Sequence, residues 1–137
     1  MFDKIMLAVD GSEPSERAVP VAADLAHKYG SEVVVVHVRE VDRTWIGGVE
    51  LEAVGEGREL IDRVVRTLKD EGLSARGEEP TAIYGQAARE ILECAKENDA
   101  GLVVMGSRGL SDWTGVLIGS VAHKVLHLAD RPVLVVR

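Results

Sequence analysis

The residues with most chemistry to offer are glycines near the C-terminus. Gly106-Ser107-Arg108-Gly109 is separated by nine residues from Gly119-Ser120. Leu102-Val103-Val104-Met105, just before the first glycine, is a short apolar run that reads as a buried parallel strand. Val121 to Ala129, just after the second group, has helical spacing. A strand, a long glycine-bearing loop and a helix N-terminus supply what a phosphate needs: close backbone approach, unpaired N–H donors and the positive end of a helix dipole. Glycine matters because a Cβ would hold phosphate oxygens away from the backbone. The alternative is that these glycines serve only as turns. The pattern is not a Walker loop, because Gly119 is followed by Ser120 and Val121 and the first lysine is Lys124. Backbone amides and the Ser120 hydroxyl would have to hold the phosphate.

Asp10 is the second candidate, at the end of the apolar run Ile5 to Val9. It can accept hydrogen bonds from ribose hydroxyls or help to hold a metal; the other reading is an Asx-type turn before the first helix. His123 and His127 have the i, i+4 spacing that can chelate zinc. Val121, Ala122, Val125, Leu128 and Ala129 take the buried face, so both histidines are expected on the surface. His37 is expected to be a hydrogen-bonded structural residue, and Cys94 a small core residue. Trp45 and Trp113 fall in predicted loops. Phosphoryl transfer needs a positioned nucleophile and charge neutralisation, for which only Asp10 and Arg108 are at hand. No catalytic residue and no metal ligand is therefore assigned, and hydrolysis is expected to be slow at most.

The elements that must position these residues alternate along the chain. With 137 residues the sequence reads as one domain, 1–137. A chain of this size buries roughly two thirds of its unfolded surface. Aromatic residues are only 4% against 46% apolar, so the core must be aliphatic, which favours helices layered on a sheet. The net charge is −7 and no Lys/Arg cluster is dense, which argues against nucleic acid as a partner. One cysteine permits no internal disulfide, and with no signal-peptide pattern and no membrane-spanning run the expectation is a soluble cytoplasmic protein.

Strands are expected at residues 5–9, 33–38, 74–83, 102–105 and 133–136, with helices between them. Ser12 and Pro14 mark the first helix start, Gly30 its end, and Pro20 an exposed bend. The segment 74–83 carries Arg76, Glu78, Glu79 and Pro80, as suits an edge. The second helix has an uncertain start because Gly55 and Gly57 are poor helix formers. The alternation predicts an α/β fold: an open, doubly wound, five-stranded parallel sheet with helices on both faces. With strand one central, strands two and three on one side and four and five on the other, its order is 3-2-1-4-5. In such sheets ligands bind beyond the carboxyl ends of the strands where the order reverses. Asp10 and Gly106 converge there.

The motif Gly-x2-Gly-x9-Gly-Ser, formed by Gly106, Gly109, Gly119 and Ser120, together with Asp10-Gly11-Ser12, resembles the ATP-binding branch of the universal stress protein family. The resemblance runs from Ile5 to Val136. It implies ATP, with Mg²⁺, as the ligand, and ATP/ADP as exchangeable partners. It places Asp10 at the ribose, Val38 with Ala8 and Val9 at the adenine, and Met105 and Gly106 beneath the ribose. Gly109, Gly119, Ser120 and Val121 would form the phosphate cradle, with Arg108 either reaching a phosphate or solvated. It also implies a homodimer through strand 133–136 and a stress-response module that binds nucleotide to regulate, rather than to turn it over. The alternatives are a slow Mg-dependent ATPase using Asp10 and a nucleotide-free dimeric scaffold.

Overall fold

The computed structural model describes residues 1–41, 55–107 and 118–137. In chain order the elements are β1 (Lys4–Ala8), α1 (Glu13–Tyr29), β2 (Glu32–Val36), β3 (Arg39–Val41), α2 (Glu56–Asp70), β4 (Ala75–Glu78), β5 (Thr81–Ile83), α3 (Ala87–Glu97), β6 (Leu102–Gly106), α4 (Ser120–Leu128) and β7 (Val133–Val136). Runs such as Val33 to Val36 have no polar face to give to water, so the sheet they form must be covered on both sides. The main sheet has the order β4-β2-β1-β6-β7, every pairing parallel. Counting its strands alone in chain order, that is the expected 3-2-1-4-5.

Two details differ from the sequence reading. The expected edge strand 74–83 is two strands, β4 and β5, separated by Glu79 and Pro80. The expected second strand ends at Val36, and the chain resumes two residues later as β3, which pairs in parallel with β5. Proline supplies no N–H to a ladder, but its carbonyl still accepts: Arg39 N–H donates to the Pro80 oxygen at 2.9 Å. The pairing of β2 with β4 therefore continues, bent, as a second small sheet.

Side-chain alternation divides the core into two layers. Ile5, Leu7, Val9, Val33, Val35 and Val104 pack against Ala18, Ala22 and Ala26 of α1 and Ile61, Val64 and Leu68 of α2. Met6, Ala8, Val34, Val36, Val103 and Met105 pack on the other face against Ala88, Ile91 and Ala95 of α3 and Ala122 and Val125 of α4. Each Val, Leu, Ile or Met side chain so buried contributes about 1.5–3 kcal/mol relative to exposure. The alanines of α1 let it sit close to the sheet.

Local signals set the ends of α1. The Ser12 hydroxyl accepts from Ser15 N–H at 3.3 Å, and Gly30 closes the helix in the left-handed region at φ 65°. Pro20 lies inside the helix on its exposed side, as expected of an exposed bend. Tyr29 is half exposed and meets Phe2 edge-on at 5.2 Å. At the β4 edge, Arg76 bonds Glu32 at 3.1 Å, Glu78 at 2.6 Å and the Asn98 side chain. This charged strap suits an edge that must not recruit another chain. Among the described residues the β7 edge has no such strap, and Leu134 there is exposed.

At the carboxyl end of β6 the backbone of α1 comes close against the sheet. A Cβ at Gly106 would stand 2.6 Å from Ser15 N and 2.7 Å from the Pro14 carbonyl carbon, both backbone atoms of the first turn of α1. No rotamer change relieves such an overlap. Gly106→Ala is expected to lower stability by about 2–3 kcal/mol, seen as a fall in the urea midpoint. Gly72→Ala, at φ 83° but in open space, should cost about 1 kcal/mol. Equal losses would contradict the close-approach account.

Candidate functional site

The order of the main sheet reverses at β1: α1 carries the chain to β2 on one side, and α3 returns it to β6 on the other. The segments leaving β1 and β6 therefore diverge and open a crevice at their carboxyl ends. Asp10 leaves β1 on one side of this crevice, and Ser107 leaves β6 on the other. Ser107 N–H donates to the Val136 carbonyl at 2.7 Å, and the Ser107 carbonyl accepts from Gly119 N–H at 2.6 Å. That second bond pins the start of α4 to the end of β6.

Gly119 is the N-cap residue of α4, in extended conformation at φ −69° and ψ 163°, and among the described residues no side chain caps the helix. Its own amide is engaged by Ser107, and its carbonyl accepts from His123 N–H at 2.9 Å. The first-turn amides of Ser120, Val121 and Ala122 have no intrahelical acceptor, as helix geometry requires, and none among the described residues. Three donors and a hydroxyl thus stand at the positive end of a helix. Arg108 and Gly109 lie outside the described residues, as do Trp45 and Trp113.

The Asx turn is formed. Ser12 N–H donates to Asp10 Oδ1 at 2.9 Å, and Asp10 N–H donates to the Ser15 hydroxyl at 3.0 Å. A carboxylate offers about four acceptor sites, so a turn that uses one leaves capacity for a ligand hydroxyl. Gly11, at φ 81°, turns the chain into α1 where a side chain would be strained. The turn holds the Asp10 carboxylate; it does not consume it.

Ala8 and Met105 are partners in the β1–β6 register and share the face that α3 and α4 cover. Val38 and Val121 are partly buried against the same cluster. Val9 faces the opposite layer, with its N–H bonded to the Val36 carbonyl at 2.9 Å and its carbonyl to His37 Nδ1 at 2.8 Å. Its backbone groups are engaged and its side chain is core. Of the apolar candidates, the structure brings Ala8, Val38, Met105 and Val121 together and leaves Val9 behind the sheet.

His37 is buried and hydrogen-bonded, as expected for a structural histidine. A carbonyl can only accept, so Nδ1 carries a proton. Around the ring is a feature that sequence reading missed. A Cβ at Gly57 would fall 2.4 Å from His37 Cδ2 and 2.6 Å from Glu79 Oε2, so Gly57 lets the start of α2 close over the imidazole. A glycine that looked merely like a poor helix former is a packing requirement. Its signal in the sequence was its place in the first turn of a helix facing a strand end.

Cys94 is buried, and its thiol is pushed up to about 12, first by burial and then by Glu78, Glu90 and Glu97. It stays a neutral thiol and no nucleophile. His123 and His127 are exposed on α4. Among the described residues no three His, Cys, Asp or Glu side chains are grouped to hold a metal, and no helix is long and apolar enough to cross a membrane.

Fold and motif together define a nucleotide-fold α/β domain of a known class. The chain belongs to the universal stress protein family, whose match covers residues 1–137. It is 37% identical to the universal stress protein YxiE of Bacillus subtilis over 150 aligned positions, covering 100% of both chains. It is 34% identical to a universal stress protein of Thermus aquaticus, again covering 100% of each. A universal stress protein from Archaeoglobus fulgidus superposes with a TM-score of 0.78 at 27% identity, covering 100% of this chain and 95% of that one. A second Archaeoglobus structure, in complex with dAMP, has a TM-score of 0.75 at 25% identity, covering 100% and 98%.

Proposed function

We propose that this chain is an ATP-binding stress-response module that works in the cytoplasm by binding nucleotide rather than by turning it over. The observation that carries the reading is the uncapped N-terminus of α4, tied by Gly119 to the end of β6 beside the sheet's reversal point. Ser120, Val121 and Ala122 amides and the Ser120 hydroxyl would hold phosphate oxygens, joined by Gly109 and Arg108. Met105 and Gly106 would lie under the ribose, with Asp10 accepting from its hydroxyls. Ala8 and Val38 would line the base, with Val9 contributing only from behind the sheet. The dAMP complex of the Archaeoglobus relative supports a nucleotide in this class of site. Bound Mg²⁺ would offset phosphate charge within a chain of net charge −7.

The test is calorimetry with Mg-ATP on stripped protein. Gly119 adopts an extended conformation open to any residue, so Gly119→Val is expected to keep the fold. Its branched side chain beside the open amides should cut affinity at least about 100-fold, about 2.7 kcal/mol. Wild-type affinity in this variant would overturn the phosphate assignment. Multiple turnovers that Asp10→Asn abolishes would instead favour the slow-ATPase reading.

The same proposal includes a homodimer through β7. An unstrapped edge of Val133, Leu134, Val135 and Val136, with Leu126 and Leu128 exposed on the adjoining α4, is what a second sheet edge would cover. Leu134→Arg should convert a dimer to monomer in sedimentation equilibrium. A monomeric wild type, or an unaffected variant, would contradict this interface.

A further inference from the structure

A cleft of about 430 Å³ lies between the start of α3 and the outer face of α4. Its lining is Gly85, Gln86, Ala88, Arg89, His123, Lys124, His127 and Leu128. In a chain of net charge −7, no carboxylate among the described residues lines this cleft, whereas Arg89, Lys124 and two imidazoles do. Helical geometry explains the convergence: His123 and His127 stand one turn apart, with Lys124 beside them. Arg89 faces them from α3.

These side chains are short of partners. Among the described residues, Arg89, His123 and His127 have no side-chain hydrogen bond or ion pair, and Lys124 has only a 3.4 Å contact to the Gly85 carbonyl. Ala88 and Leu128 give the cleft an apolar part. Cationic groups gathered around a concavity without a counter-ion repel one another, and an anion placed among them relieves this. The volume is within the range of small-molecule sites.

We infer that this cleft is a second binding site, separate from the nucleotide crevice, for a small phosphate-bearing anion. Arg and Lys donors on opposite walls suit the several oxygens of a phosphoryl group, and neutral imidazole N–H groups can add to them. An extended acidic chain fits less well, because beyond the cleft α3 carries Glu90, Glu93 and Glu97. A compact anion meets only the cationic lining. Neither His123 nor His127 needs a metal for this role.

The probe is inorganic pyrophosphate, titrated at matched ionic strength into the full chain while the histidine ring signals are followed by NMR. Saturable shifts of His123 and His127 are expected, and Arg89→Ala combined with Lys124→Ala should weaken binding at least about tenfold. Both positions are exposed, and unchanged amide spectra elsewhere will verify folding. Persistence of the shifts with one equivalent of ATP present supports a separate site. Shifts confined to Ser120 and Val121, loss of the shifts with ATP, no saturation, or unchanged affinity in the double variant would each overturn the inference. Failure of ATP to bind would leave the pyrophosphate result standing, so the two readings fail separately.

Discussion

Burial of β1 and β6 on both faces is the constraint from which the rest of the structure follows. Neither strand has a side that can meet water, so α1 and α2 must cover one face and α3 and α4 the other. Once both faces are closed, only the ends of the strands remain for a ligand. The reversal of strand order at β1 then decides which end opens. The contact at Gly106 expresses this geometry, because the first turn of α1 rests on β6 with no room for a methyl group.

Of the helix N-termini at that end, those of α1 and α4 flank the reversal point and are treated differently. The first turn of α1 is closed by protein groups: the Ser12 hydroxyl accepts from Ser15 N–H, the Asp10 carboxylate from Ser12 N–H, and the Ser15 hydroxyl from Asp10 N–H. Among the described residues, the start of α4 is held from behind, by the bond from Gly119 N–H to the Ser107 carbonyl. Its forward amides are left for another acceptor. One helix dipole is satisfied internally and braces the site; the other is positioned and open.

Most of the sheet could be read from the chain because valine-rich runs and their spacing allow few other packings. Its order and the edge character of 74–83 followed from hydrophobicity, charge and Pro80. What escaped was determined by contacts distant in sequence. The break into β4 and β5, and the partnership of β3 with β5, depend on how Pro80 meets Arg39 across the sheet. The need for Gly57 depends on His37 and Glu79. At the site, local sequence anticipated both possible roles of Asp10, and only the fold revealed that the turn exists. The engaged state of the Gly119 amide and of both Val9 backbone groups was likewise invisible, since their partners lie on other elements.

The central claim is that this fold holds a nucleotide at the open end of α4. Its most direct test is to denature freshly purified protein and to identify and count the released nucleotide by ion-exchange chromatography and mass spectrometry, alongside Mg-ATP titration of the stripped chain. The account predicts released ATP or ADP approaching one per chain, or saturable rebinding by stripped protein. No released nucleotide together with no binding would mean that the glycines serve only as turns, and would contradict it.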